Sequence, residues 1–224
     1  IQNVPYKMEK TARAVFSFIP EGKNMGNQIP PTATAIPLNQ TSSMFQPGKV
    51  RFFWMENNYN NYLRNIDDKV RLNTKRGKNR PSVTVGIVLN GHNYIIPLTS
   101  QHDPKWKNQL TVRIKEEETV NGVTTEKVIS CLKINNMHPA LESELTYIDF
   151  EKQSDDYKRL LYKEYDYIKN NLQEVTTKAT VLHSKLTNGK AKHFAPYCCN
   201  FAKLENMYKQ YDSSIKYPLV RIGS

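Results

Sequence analysis

Fifteen residues decide the fold: Gly86-Ile87-Val88-Leu89-Asn90-Gly91-His92-Asn93-Tyr94-Ile95-Ile96-Pro97-Leu98-Thr99-Ser100. Apolar runs at 83–89 and 93–98 flank Asn90-Gly91. That dipeptide favours a type I′ turn, in which both central residues take positive φ, so the stretch reads as a tight antiparallel hairpin. Its second strand ends on two adjacent hydroxyls, Thr99 and Ser100. His92, beside the turn glycine, reads as a solvent-exposed turn residue outside any site.

The same logic extends outward. Residues 110–115 and 126–134 form a second strand pair across Asn121-Gly122, and 50–55 and 145–150 read as further strands. At 57–70 the apolar residues Tyr59, Tyr62, Leu63, Ile66 and Val70 recur at helical spacing. Leu161, Tyr165, Ile168, Leu172, Val175, Ala179 and Leu182 alternate spacings of four and three, one apolar face of a long helix that Thr187-Asn188-Gly189 ends. Asn200 is placed to cap a last helix bearing Phe201, Leu204, Tyr208 and Tyr211. The sum is an α+β fold: a twisted antiparallel sheet with packed helices, including one long C-terminal helix.

Residues 1–47 differ. Stretches 29–37 and 39–43 are rich in Pro, Ala and hydroxyl residues and read as a linker or extended arm, with a short strand candidate at 12–19. The division expected is an unassigned extension (1–47), a main domain (48–214) and a tail (215–224). The opening Ile1-Gln2-Asn3-Val4 lacks both a signal-peptide pattern and an initiator Met, which suggests a processed, trimmed or excised chain, with Met44 as an alternative start.

Composition narrows the function. Of 224 residues, 32 are Lys or Arg and 21 Asp or Glu, a net charge of +11, and mean hydropathy is −0.65. No apolar run approaches the roughly 20 residues of a membrane span, so a cytoplasmic protein with a polyanionic partner is expected. Cys131, Cys198 and Cys199 make neither a disulfide framework nor a metal set, and read as idle thiols. The densest positive run is Lys69, Arg71, Lys75, Arg76, Lys78 and Arg80, read as a mobile basic loop.

Four stretches, in order, resemble the ToxN/AbiQ family of type III toxin–antitoxin and abortive-infection toxins. They are 60–70 (NNYLRNIDDKV), the hairpin 86–100 with GIVL, GH.Y and PLTS, 156–163 (DYKRLLYK) and 199–205 (CNFAKLE). The resemblance implies an SH3-like barrel related to Kid/MazF toxins. It also implies a metal-independent endoribonuclease that leaves a 2′,3′-cyclic phosphate and a 5′-hydroxyl, with no cofactor. The implied partners are a single-stranded RNA substrate and a repetitive pseudoknot RNA antitoxin, in an RNA-bridged oligomer.

Such cleavage needs a base for the ribose 2′-hydroxyl, charge stabilisation for the phosphorane, and an acid for the leaving 5′-oxygen. Thr99 and Ser100 match the family's hydroxyl pair; the competing reading is a strand end that merely satisfies a turn. The family lysine follows those hydroxyls closely. Here Gln101-His102-Asp103 intervenes before Pro104-Lys105-Trp106-Lys107, leaving Lys105, Lys107 or His102 as candidates for that role. A second departure is Ser82, which stands where the family carries a basic residue; Lys78 or Arg80 is the substitute. Tyr59 matches a family tyrosine on the first helix and joins the catalytic candidates. Lys75, Arg76, Lys78, Arg80, Lys107, Lys158, Arg159, Tyr162 and Lys163 are the RNA-binding candidates, Tyr162 because it falls off the apolar stripe of its helix. The rival functional reading is a non-catalytic RNA-binding module on the same barrel. A DNA-binding regulator lacks a helix-turn-helix or zinc-finger pattern.

Overall fold

Strand β6 (His92–Thr99) is the spine of the sheet, buried without interruption from Tyr94 to Thr99. Tyr94-Ile95-Ile96-Pro97-Leu98 therefore reads as a continuous apolar run, the pattern of a strand covered on both faces. The computed structural model describes residues 44–46, 48–75, 78–79, 82–84 and 87–219, and only the backbone within 74–84. The strand expected at 12–19 and the extended arm lie outside the described residues.

The remaining strands are β1 (Arg51–Met55), β2 (Thr74–Lys75), β3 (Lys78–Asn79), β4 (Ser82–Thr84), β5 (Val88–Leu89), β7 (Val112–Val120), β8 (Val123–Leu132), β9 (His138–Pro139) and β10 (Leu145–Tyr147). The curled antiparallel sheet runs β10-β1-β4-β6-β8-β7, with β5 and β9 also paired to β6. Strand β6 exchanges partners along its length. Its first half pairs with β5 (Leu89↔His92) and β9 (Ile95↔His138), its middle with β4 (Val83↔Ile96), and its end with β8 (Thr99↔Cys131). Both hairpin turns form as their dipeptides require: φ is +52° and +76° at Asn90-Gly91, +53° and +78° at Asn121-Gly122.

Helix α1 (Asn57–Ile66) buries Tyr59, Tyr62, Leu63 and Ile66 at i, i+3, i+4 and i+7. It ends at Asp67, whose carboxylate accepts the backbone N–H of Lys69 and of Asn200, tying α1 to the start of α4 (Phe201–Met207). Asn200 caps α4 as its position suggests, its Oδ1 accepting the Lys203 N–H at 3.1 Å. Phe45 stacks on Phe53 at 6.0 Å, and Tyr217 packs against Tyr62 at 4.9 Å. The core of these described residues thus draws on positions from 45 to 217. No described helix is long and apolar enough to cross a membrane.

Four expectations change. The long helix is two, α2 (Asp155–Asn170) and α3 (Leu172–Thr187), divided where Asn171 leaves helical geometry at φ −111° and ψ 22° and turns its side-chain amide onto the Tyr167 carbonyl at 2.8 Å. The buried stripe Leu161, Ile168, Val175, Ala179, Leu182 runs through the break, which is why periodicity alone missed it. α3 closes with Gly189 at φ +68°, where Lys190 N–H reaches the Lys185 carbonyl and Gly189 N–H that of Leu186. The strand at 83–89 is two short pieces, β4 and β5, which both pair with β6. The basic run is not simply loop: β2 and β3 pair antiparallel through Thr74↔Asn79 and Lys75↔Lys78, two residues apart as a hairpin needs. His92 is half-buried rather than exposed, its Nδ1 3.0 Å from the Tyr208 hydroxyl.

Candidate active site

The end of β6 meets the end of β8. Thr99 pairs with Cys131, and two residues further on the Lys133 N–H donates to the Pro97 carbonyl at 2.9 Å. Thr99 is buried and its Oγ1 accepts the Gln101 N–H at 3.2 Å, so this hydroxyl shapes the turn; Ser100, next to it, is exposed. The competing reading thus describes Thr99 and leaves Ser100 as the hydroxyl facing solvent.

The segment 101–107 that separates the hydroxyls from the lysines folds as a tight turn. Asp103 Oδ1 accepts the Lys105 N–H at 2.8 Å, and the Asp103 carbonyl accepts the Trp106 N–H at 3.0 Å. Arg113, on β7, fastens the far side, donating to the Pro104 carbonyl at 3.1 Å and the Trp106 carbonyl at 3.0 Å. The extra residues therefore form a turn that presents Lys105, Trp106 and Lys107 together.

These three residues line a cavity of about 310 Å³ with Lys133, Asn135 and Tyr197, and among the described residues no acidic side chain lines it. Lys107 sits 5.3 Å from the Phe194 ring centre and 5.5 Å from that of Tyr197. Lys133 lies 3.6 Å from the Trp106 ring centre. Only 6% of Lys133 is exposed, and no carboxylate pairs with it among the described residues. Burial, helped by nearby Arg71, holds its ammonium down to about 8. His102 is exposed on the same turn.

The residues predicted on α2 stand apart and carry their own counterions. Lys158 pairs with Glu151 at 3.2 Å, Arg159 with Asp156, and Lys163 with Glu116 of β7. Tyr162 is 44% exposed and donates to Glu151 at 2.7 Å. Exposed pairs of this kind add little to stability and are screened by salt. Tyr59 stands apart from the residues that line the cavity. It is fully buried, its hydroxyl on the Pro139 carbonyl at 3.4 Å and its ring against Tyr62 and Tyr211, and burial pushes its phenol well above the usual range. A fully buried tyrosine cannot touch RNA without core rearrangement. Arg76 and Arg80, with the side chains of Lys75 and Lys78, lie outside the described residues. The three cysteines are free and buried, and burial raises Cys198 to about 11, which suits idle thiols.

Compared with known proteins, residues 51–209 fit the family described as "Toxin ToxN, type III toxin-antitoxin system". The chain belongs to the ToxN family. Endoribonuclease ToxN of Bacillus thuringiensis subsp. kurstaki is 35% identical over 169 residues, which span 72% of this chain and 84% of that protein. A solved structure of a bacterial type III system, described as showing selective toxin inhibition by a non-coding RNA pseudoknot, gives a TM-score of 0.65. It is 32% identical and covers 74% of this chain and 99% of its own. AbiQ, a lactococcal anti-phage endoribonuclease of the type III system, gives 0.60 at 26% identity, covering 73% and 98%.

Two residues of this candidate site escaped the sequence reading. Lys133 lies in Cys131-Leu132-Lys133-Ile134, where a lone lysine among apolar neighbours was the available signal. Arg113 gave none, because its partners are backbone carbonyls nine and seven residues earlier.

Proposed function

We propose that this endoribonuclease toxin cleaves single-stranded RNA without a metal, at the end of β6. The ribose 2′-oxygen attacks phosphorus, the bond from phosphorus to the 5′-oxygen breaks, and the products are a 2′,3′-cyclic phosphate and a 5′-hydroxyl. Ser100 holds the scissile phosphate, and Thr99 orients Ser100 by holding the turn. Lys105 takes the role of the family lysine, with Lys107 and Lys133 adding positive charge where the phosphorane forms. His102 is the candidate for proton transfer. The observation that carries this reading is the convergence of three lysines on one cavity, one of them Lys133, two residues beyond Cys131, the β8 partner of Thr99. Among the described residues no three His, Cys, Asp or Glu side chains gather as metal ligands.

The curled sheet around β6 supports kinship with the SH3-like barrels of Kid/MazF toxins. The net charge of +11 and the exposed ion pairs of α2 support a repetitive pseudoknot RNA as antitoxin, bridging copies of the toxin in the cytoplasm. The test is cleavage of a defined single-stranded RNA in EDTA, with chemical mapping of the new ends. Ser100→Ala and Lys105→Ala are expected to lose at least 100-fold in rate, a loss typical of removing one donor to a developing oxyanion. Full activity in Ser100→Ala, or abolition of wild-type cleavage by EDTA, refutes the assignment.

A further inference from the structure

Lys133 is built into the cavity wall with its amine left free of protein partners. Its backbone is fixed from both sides: its N–H donates to the Pro97 carbonyl at 2.9 Å and its carbonyl accepts the Asn136 N–H at 3.0 Å. The residue is 6% exposed, and its Nζ stands 3.6 Å from the Trp106 ring centre. Among the described residues, none forms a hydrogen bond or ion pair with that Nζ. Polar atoms sealed from solvent without a partner do occur, as at His138 Nε2, and Lys133 Nζ is not one of them. The amine therefore keeps an opening, and the space that Lys133 lines is the cavity it shares with Trp106, Lys105 and Lys107. Burial and nearby Arg71 work against its charge, the thiols of Cys131 and Cys198 in favour, and the balance brings it to about 8. At pH 8 about half is then the free base, against roughly 0.3% for a lysine at the ordinary 10.5, a gain of about 150-fold in nucleophile. Lower basicity takes back roughly 10–20-fold on a Brønsted slope of about 0.4–0.5, so an advantage of about tenfold remains. Lys105 and Lys107, both exposed and neither in an ion pair among the described residues, offer two positive charges to a small dianion. About 310 Å³ lies at the small end of ligand cavities, which excludes a bulky acyl carrier.

We propose that Lys133 is an acylation site: the cavity admits a small acyl phosphate, Lys105 and Lys107 hold its phosphate, and the Lys133 amine takes the acyl group. The free amine attacks the acyl carbon, and the bond from that carbon to the phosphate oxygen breaks. Inorganic phosphate leaves with the electron pair, and the nitrogen gives a proton to water, leaving a neutral amide. Acylation removes one of the three cavity charges and the cation over Trp106. The acylation itself stands on the cavity. Its consequence, RNA cleavage slowed at least tenfold, rests on the endoribonuclease reading.

The test reads the modification directly, so that it does not depend on cleavage. Acetyl phosphate is added to the full chain at pH 8, and acetylation of each lysine is followed in time by peptide mass spectrometry. Lys133 is expected to react about tenfold faster than Lys190 and Lys192, which are exposed and outside the cavity. Excess inorganic phosphate, and separately the paired change Lys105→Ala with Lys107→Ala at exposed positions, are each expected to slow Lys133 at least about fivefold and to leave Lys190 and Lys192 unchanged. Acetic anhydride, a donor without charge, is expected to acetylate Lys133 with no such dependence. Parity of Lys133 with Lys190 and Lys192 overturns the site. So does a Lys133 rate indifferent both to inorganic phosphate and to removal of Lys105 and Lys107. Cleavage of RNA is measured on the same samples, its loss expected to track acetylation of Lys133. Full cleavage by protein acetylated at Lys133 leaves the acylation site standing and counts against the part of Lys133 in the endoribonuclease reading alone.

Discussion

Replacing Lys133 with methionine separates function from stability. The Lys133 ammonium is buried without a carboxylate, and burial brings it from the ordinary 10.5 down to about 8. At about 1.4 kcal/mol per pH unit, keeping the charge in the folded protein at neutral pH costs about 3 kcal/mol at most. The Trp106 ring 3.6 Å away returns part of this, about 2 kcal/mol for a desolvated cation over indole. Methionine fills a similar volume and carries no charge, so Lys133→Met is expected to be more stable than the wild type at pH 7 by about 1 kcal/mol. The sign of the pH dependence follows from the depressed value. Between pH 8 and 10.5 the unfolded chain binds more protons at this lysine than the folded one, so wild-type stability rises with pH and the advantage of the variant fades toward zero. Below pH 8 both states are protonated and the advantage is complete. Urea unfolding at pH 7 and pH 10.5 measures it, and RNA cleavage at pH 7 is expected to fall at least tenfold in the same variant. A less stable variant at pH 7, a pH-independent gain, or undiminished cleavage refutes the reasoning.

Three further outcomes are expected. Glu164 is 2% exposed on α2, and burial raises its carboxyl to about 7; Glu164→Gln should stabilise the protein by about 3 kcal/mol above pH 7 and by almost nothing below pH 4.5, where both states are protonated, as urea titrations at the two extremes will show. Tyr94 donates to buried Glu205 at 2.7 Å, where His183 also bonds at 2.7 Å and Asn90 at 3.2 Å; Tyr94→Phe should cost about 1–3 kcal/mol in chemical unfolding, and a neutral result would mean the network is not coupled to folding. Arg113→Ala removes the two bonds that fasten the 101–107 turn; as a positioning change it should lower kcat with little effect on KM, while Arg113→Lys recovers only part, since lysine cannot reproduce the planar fork.

Much of the sheet was legible because its signals are local. Asn90-Gly91 and Asn121-Gly122 dictate positive φ whatever surrounds them, and the continuous apolar run of β6 marks a strand covered on both faces. The α2–α3 break was not legible, because the apolar stripe that packing demands continues across Asn171 while only a side-chain-to-carbonyl bond marks the interruption. The site divides along the same line. Ser100 and Lys105 are found from neighbours in sequence, whereas Lys133 and Asn135 join them through the antiparallel pairing of β6 with β8, a contact between positions more than thirty residues apart. Tyr59 shows a different pull: its place in a motif suggested chemistry, and its helical phase buries it with Tyr62 and Leu63. Charge was the least legible property. Lys158, Arg159 and Lys163 read as a basic helix face, but Glu151, Asp156 and Glu116 neutralise them, and Glu116 arrives from β7. On the proposed reading RNA would displace Glu151, Asp156 and Glu116 from the α2 cations, whereas Lys105, Lys107 and Lys133 form no ion pair among the described residues. The apparent number of counterions released on binding should accordingly fall when cavity lysines are removed, and change little when α2 lysines are.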